Sequence, residues 1–209
     1  MINVSKRANQ INWETKYQQL KQTNQELKES FRTKCIESFK SRRSVRQILE
    51  KKPNFKIIED IIEAGINAPC AGNIQNYKII IIENKITRKK IGEFTYNQFW
   101  INKTPYVLII LRDEEQLKES YPDYWKLYSK QNVGVLIENI IMAIHMSKLS
   151  TCWIGIKNDN MIREILEIPD KYEIDAVIPI GYPNEIPYVE NRADNTTLIN
   201  FETFNNKIK

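Results

Sequence analysis

Between Gln131 and Leu149 the chain carries Ile137, Ile140, Ile141, Ile144 and Met146, so that a helix over this span is apolar around most of its circumference. Such a helix persists only where other elements cover it on several sides, which places it at the centre of the fold. The elements that cover it are legible as further Ile-rich runs. Lys78 to Glu83 and Tyr106 to Leu111 are too short for helices and rich in β-branched residues, hence buried strands; Thr151 to Ile156 and Ile174 to Ile180 read the same way. Phe55 to Asn67 sets Ile58, Ile61, Ile62, Gly65 and Ile66 at helical spacing, and Lys85 to Phe99 reads as a helix with a basic first half. A short helix holding Ile162, Ile165 and Leu166 takes its cap from Asn158 or Asp159. His145 sits on the central helix as a hydrogen-bonded core residue or, less simply, as a catalyst.

A chain of 209 residues suits one domain, long enough to bury about 70 % of its unfolded surface in a single core. It lacks both a run of about 18 uncharged apolar residues and a signal-peptide pattern at its start, so no membrane span or secretory leader is expected and the expected location is cytoplasmic. Cys35, Cys70 and Cys152 are odd in number and widely spaced, with one histidine in the chain, which argues against a disulfide framework and the usual zinc arrangements. Cys35 reads as core, and no metal is expected. A net charge of +5 is spread along the sequence, so no nucleic-acid partner is expected.

Ahead of the Ile-rich region, Trp13, Tyr17, Leu20, Asn24, Leu27 and Phe31 alternate spacings of four and three, the mark of an amphipathic helix with a heptad-like seam. It packs on its own domain or on a dimer partner, or forms a short coiled coil in which Asn24 sets register. We divide the chain into a helical extension over residues 1–35 and a domain over residues 36–209. Residues 112–130 are charged and aromatic without a clear period; they form either a lid or a surface helix whose aromatics cover the core.

Two stretches fit neither helix nor strand. In Ala68-Pro69-Cys70-Ala71-Gly72-Asn73-Ile74-Gln75, Pro69 ends the preceding helix and Gly72 permits a positive φ, so a shaped loop presents the amides of Asn73 and Gln75. Planar amides suit the edge of a heterocycle with alternating N–H and C=O groups, although an Asn at an ordinary turn has the same look. In Ser41-Arg42-Arg43-Ser44-Val45-Arg46, three guanidinium groups and two hydroxyls fall within six residues. That is either a solvated face or an anion site of the kind that grips phosphate. Taken together, the stretches suggest one ligand with a phosphate at one end and a polar heterocycle at the other.

With Cys152-Trp153-Ile154-Gly155 and Gly181-Tyr182-Pro183 these stretches make four motifs in order, and over residues 36–195 the chain resembles the nitroreductase family of FMN enzymes. The resemblance implies an α+β fold, a central mixed β-sheet flanked by helices, and a homodimer with flavin sites at its interface. It also implies FMN as cofactor, NADH or NADPH as co-substrate, and ping-pong hydride transfer to a small electrophile. An O₂-using oxidase of natural products or peptides, or a flavin-binding assembly protein without turnover, would share the motifs. By this resemblance Arg42, Ser44 and Arg46 hold the phosphate and the pyrimidine edge, with Arg43 at a variable position and Arg192 reaching the phosphate from the tail. Pro69, Cys70, Ala71 and Asn73, with Gln75, meet the flavin of the other subunit. The backbone of Trp153, Ile154 and Gly155 runs beside the isoalloxazine, with the Ile154 N–H at flavin N5. Cys70 stands where the family has Ser, and Asn76-Tyr77 where it has Pro-Trp, an exchange that loosens the loop exit.

Overall fold

A computed structural model describes residues 13–156 and 159–207. The chain forms two compact units, Met1–Arg42 and Arg43–Lys209. In the first, helix α1 runs from Trp13 to Ser41. Its surface is tied by i,i+4 amide–carboxylate pairs, Gln22 to Glu26 and Gln25 to Glu29, both at 3.1 Å. The seam residues Tyr17, Leu20, Leu27 and Phe31 are exposed. Cys35, expected in the core, is only half-buried.

The second unit is a three-layer α+β sandwich. Helix α2 (Phe55–Ile66) leads to strand β1 (Tyr77–Ile82), helix α3 (Lys85–Phe94) to β2 (Tyr106–Asp113), and short α4 (Glu115–Lys118) to the central α5 (Trp125–Met146). Helix α6 (Asp159–Leu166), β3 (Tyr172–Ile180) and a single turn, α7 (Asn195–Leu198), follow. Asn54 and Asn84 cap α2 and α3, the side-chain oxygen of Asn54 accepting from Lys56 N–H and that of Asn84 from the N–H groups of Ile86 and Thr87. Of the two residues expected to cap α6, Asp159 lies inside the helix and Asn158 lies outside the described residues. Among the described residues, no helix is long and apolar enough to cross a membrane.

The sheet order is β1-β2-β3 and every described pair is antiparallel, where a mixed sheet was expected. The cause is the connections: each long excursion returns to the end of the sheet that it left, Ile82 pairing beside Val107 and Asp113 opposite Tyr172. Strand β2 is central and wholly buried, and its alternation divides the core. Tyr106, Leu108 and Ile110 join α2 and α5 on one face; Val107, Ile109 and Leu111 join Ile91 of α3 and Ile162 of α6 on the other.

Thr151 to Ile156 is not a strand. Ser150 pairs with Gly181 and Ile154 with Val177 in one continuous antiparallel register, yet the two bridges remain isolated. The bonded pair due between them is Cys152 with Pro179, and proline has no N–H to donate. The segment is therefore a ladder with its middle rung removed, lying along β3.

Gly65 brings α2 onto α5. A Cβ there would stand 2.4 Å from Ile140 Cγ1. Gly65→Ala is thus expected to destabilise by about 1–2 kcal/mol, overpacking outweighing the helix propensity gained. Urea denaturation is the check, and a stabilised variant would show that Ile140 swings aside without cost.

Candidate functional site

The Arg-rich segment is extended and tied down by its backbone. Val45 N–H donates to Thr151 O at 3.0 Å, Leu49 N–H to Tyr182 O at 2.9 Å, and Asn184 N–H to Gln47 O at 2.8 Å. It thus runs between the interrupted ladder and the chain that leaves β3. Gly181 makes the close approach possible, since a Cβ there would be 2.5 Å from Ile48 Cγ2. With Val45 and Ile48 buried, the polar side chains between them face outward.

A cavity of about 300 Å³ opens there, and its walls include Arg43, Ser44, Arg46 and Arg192, together with Glu185 and Glu190. Three guanidinium groups and a hydroxyl around one hollow form a donor set for a multiply charged oxyanion. Arg42 belongs instead to the N-terminal unit, and Arg43, read as a variable position, takes a place in the wall. Glu185 was not anticipated. Its Oε1 accepts from the N–H groups of Arg46 and, at 3.0 Å, Gln47, so one carboxylate fixes the backbone that presents the cations.

The Pro69 loop is shaped as expected. Gly72 has φ +59° and Asn73 φ +57°, two successive left-handed residues, and the Tyr121 ring closes over Gly72, where a Cβ would meet its hydroxyl at 2.7 Å. Gln75 Nε2 donates to Asn73 Oδ1 at 3.1 Å and to Cys70 Sγ at 3.4 Å, so the loop's exposed amides and its half-buried thiol form one cluster. Residues 112–130, open between lid and surface helix, take in the end of β2, α4 and the start of α5, with Tyr121 and Tyr128 packed edge to face beside the loop at 5.1 Å.

The loop exit is not loosened by Asn76. Its side chain is fully buried, with Nδ2 donating to Ser129 Oγ at 2.8 Å and to Asp113 O at 3.2 Å. Asn132 on α5 completes the network: Oδ1 accepts from Ala71 N–H at 2.8 Å, and Nδ2 donates to Asn76 Oδ1 at 2.9 Å and to Ile74 O at 3.3 Å. Two buried amides thus clamp the loop to α5 and to the end of β2. Burial also pushes the phenol of the next residue, Tyr77, above its ordinary range.

Trp153 and Gly155 are exposed and Ile154 is buried. The N–H of Ile154, expected to face a ligand, is instead engaged: it donates to Val177 O at 3.1 Å, and Val177 N–H returns the bond to Ile154 O at 3.0 Å. Alternation explains this, because the N–H groups of a strand point to opposite edges at successive residues. Gly155 N–H has no partner among the described residues, and it is the candidate donor from this segment.

The two stretches singled out in the sequence do not meet within one chain. The cation cavity lies beyond the Tyr106 end of β2, next to Gly181; the loop lies beyond the Asp113 end, where Asp113 N–H donates to Asn76 O at 2.8 Å. Seven residue steps at about 3.4 Å each separate them by about 24 Å, longer than a mononucleotide. What sequence reasoning missed is the support: Asn132 and Ser129, polar residues one turn apart, lie on the buried face of α5 that Val133 and Leu136 continue, and their place in line with that apolar face was the available signal.

The profile of the Nitroreductase family matches residues 39–126 and 95–182. A protein of Archaeoglobus fulgidus named "Putative NADH dehydrogenase/NAD(P)H nitroreductase" is 29% identical over 156 residues, covering 72% of this chain and 86% of its own. The FMN reductase [NAD(P)H] of Bacillus subtilis is 25% identical over 186 residues, covering 82% and 75%. In structure, an FMN-dependent nitroreductase from Clostridium difficile superimposes with a TM-score of 0.69 at 23% identity, covering 81% of this chain and 99% of that one.

Proposed function

The chain belongs to the nitroreductase family, and from that premise we propose that it is an FMN-dependent NAD(P)H oxidoreductase acting on a small electrophile such as a nitroaromatic or quinone. The observation that carries the reading is the cavity in which Arg43, Ser44, Arg46 and Arg192 converge. Its donors fit a phosphate monoester, and among the described residues no carboxylate other than Glu185 and Glu190 lines it; Glu185 is already turned onto backbone N–H groups. In this reading the four residues hold the FMN phosphate, and the exposed edge of Trp153 and Gly155 runs beside the ring system, with Gly155 N–H as the donor toward N5.

FMN, when bound, supplies the hydride chemistry itself, so the chain's task is to bind, orient and exclude water. A reduced nicotinamide and the electrophile then use one face in turn, which is the ping-pong order. The 24 Å separation estimated above from strand rise gives the site a second requirement: Cys70, Ala71, Asn73 and Gln75 serve a flavin held by another copy of the chain. A two-fold homodimer places the loop of each copy at the cavity of the other and makes both sites equivalent.

The purified protein incubated with FMN is expected to retain flavin absorption bands after desalting. Mixing with NADPH or NADH under nitrogen should bleach them within a turnover. Failure to bind FMN would remove the proposal, and bound flavin that neither nucleotide bleaches would shift the electron donor away from nicotinamides.

A further inference from the structure

A second cavity, of about 350 Å³, lies on the far side of Arg46. Its walls differ in kind from those of the first. Phe99 and Trp100, from a 3₁₀ turn over Phe99–Lys103, give it aromatic faces, and buried Ile48 adds an apolar wall. Arg46 and Lys103 give it two cations, and among the described residues no carboxylate lines it. Among the described residues neither cation forms an ion pair, and neither side chain has a hydrogen-bond partner. Gln47 and Asn184 add two amides whose side chains are likewise unbonded among those residues.

The rings are presented rather than packed away. Phe99 is 62% exposed, a poor position for a large apolar side chain unless something covers it. The Trp100 ring is held by its Nε1–H, which donates to Gln98 Oε1 at 2.7 Å. The 3₁₀ turn is itself anchored, because Ile101 is fully buried and buried Arg88 reaches the Asn102 and Thr104 carbonyls. A fixed aromatic surface beside two unpaired cations and two free amides matches a planar heterocycle that carries an anionic group. The rings stack on its face, the amides read its edge, and the cations take its charge.

We propose that this cavity binds a purine nucleoside monophosphate moiety, its base against Phe99 and Trp100 and its phosphate between Lys103 and Arg46. Arg46 is shared with the first cavity, so a phosphate on either side of it faces the same guanidinium. The same chemistry is carried by a free nucleotide and by the adenylate half of a dinucleotide. The assignment goes beyond the flavin reading and does not depend on it, since only Arg46 is common to the two cavities.

The test is calorimetric titration of 5′-AMP into the protein saturated with FMN. One AMP per chain is expected without release of flavin. Phe99→Ala and Lys103→Gln, both substitutions of exposed side chains, should each weaken AMP by about tenfold or more while leaving FMN affinity unchanged. No AMP binding, AMP binding that displaces FMN, or binding that both variants leave unaltered would overturn the proposal. Flavin retention, read separately from absorbance, keeps a failure here distinct from a failure of the FMN reading. With apo-protein, FAD in place of FMN assigns the source. A gain in affinity that Phe99→Ala abolishes identifies a flavin dinucleotide, and equal affinity for both flavins, alongside AMP binding, identifies a nucleotide separate from the flavin.

Discussion

Asn132→Leu is expected to destabilise the protein by about 3–5 kcal/mol. The replacement keeps the four side-chain heavy atoms and the branch at Cγ, so no cavity is opened to account for that cost. The amide that it removes accepts from Ala71 N–H and donates to Asn76 Oδ1 and Ile74 O, at 2.8, 2.9 and 3.3 Å. Asn76 is fully buried, so its orphaned oxygen has no water to turn to. Each partner left unpaired costs about 1–3 kcal/mol, and a shared network loses less than the sum of its parts. Against a total stability of about 5–15 kcal/mol this is a large fraction. The midpoint of urea denaturation should fall with the slope unchanged. A loss below about 1 kcal/mol would mean that the loop is held by its backbone shape and not by the clamp.

The second large effect is on the cofactor. Arg46→Ala combined with Arg192→Ala removes two of the three guanidinium groups from the cavity wall. A hydrogen bond to a charged group is worth about 1.5–3 kcal/mol, so the pair is expected to weaken FMN by about two to four orders of magnitude. Both residues are exposed, and the fold should survive. Fluorescence titration of the apo-protein gives the dissociation constant, and rising salt should weaken the wild type more than the variant, since fewer charges remain to be screened. Unchanged affinity would return the arginines to the status of a solvated face.

The fold was largely legible because its signals are strong and local. The circumferential isoleucines of α5 and the short Ile runs of β1 and β2 fix element type with little ambiguity, and Pro69 and Gly72 announce a left-handed loop. What was not legible depends on pairing. Thr151 to Ile156 has the composition of a strand, but whether it joins a ladder is decided by the residue opposite, and that is Pro179. The same register sends Ile154 N–H to Val177 and leaves Gly155 N–H without a partner among the described residues. Asn76, taken to loosen the loop, fastens it, because its partners Ser129 and Asn132 lie more than fifty residues onward. Composition joined the two chemical stretches to one ligand, and the resemblance gave the loop to the flavin of the other subunit; within a chain the length of β2 keeps the two apart.

That separation is the centre of the account, and complementation between chains tests it most directly. Arg46→Glu spoils the cavity and leaves the loop intact; Asn73→Leu spoils a loop contact and leaves the cavity intact. Each variant alone should bind FMN poorly at a concentration that saturates the wild type. Unfolded together and refolded as a mixture, they should form mixed dimers in which one site takes its cavity and its loop from unaltered residues. Random pairing then restores FMN to about a quarter of all sites, and the two parent homodimers restore none. Recovery near that level, measured as bound flavin per chain, is the expected result; a mixture that binds no more than its separate components would show that each site is built within a single chain.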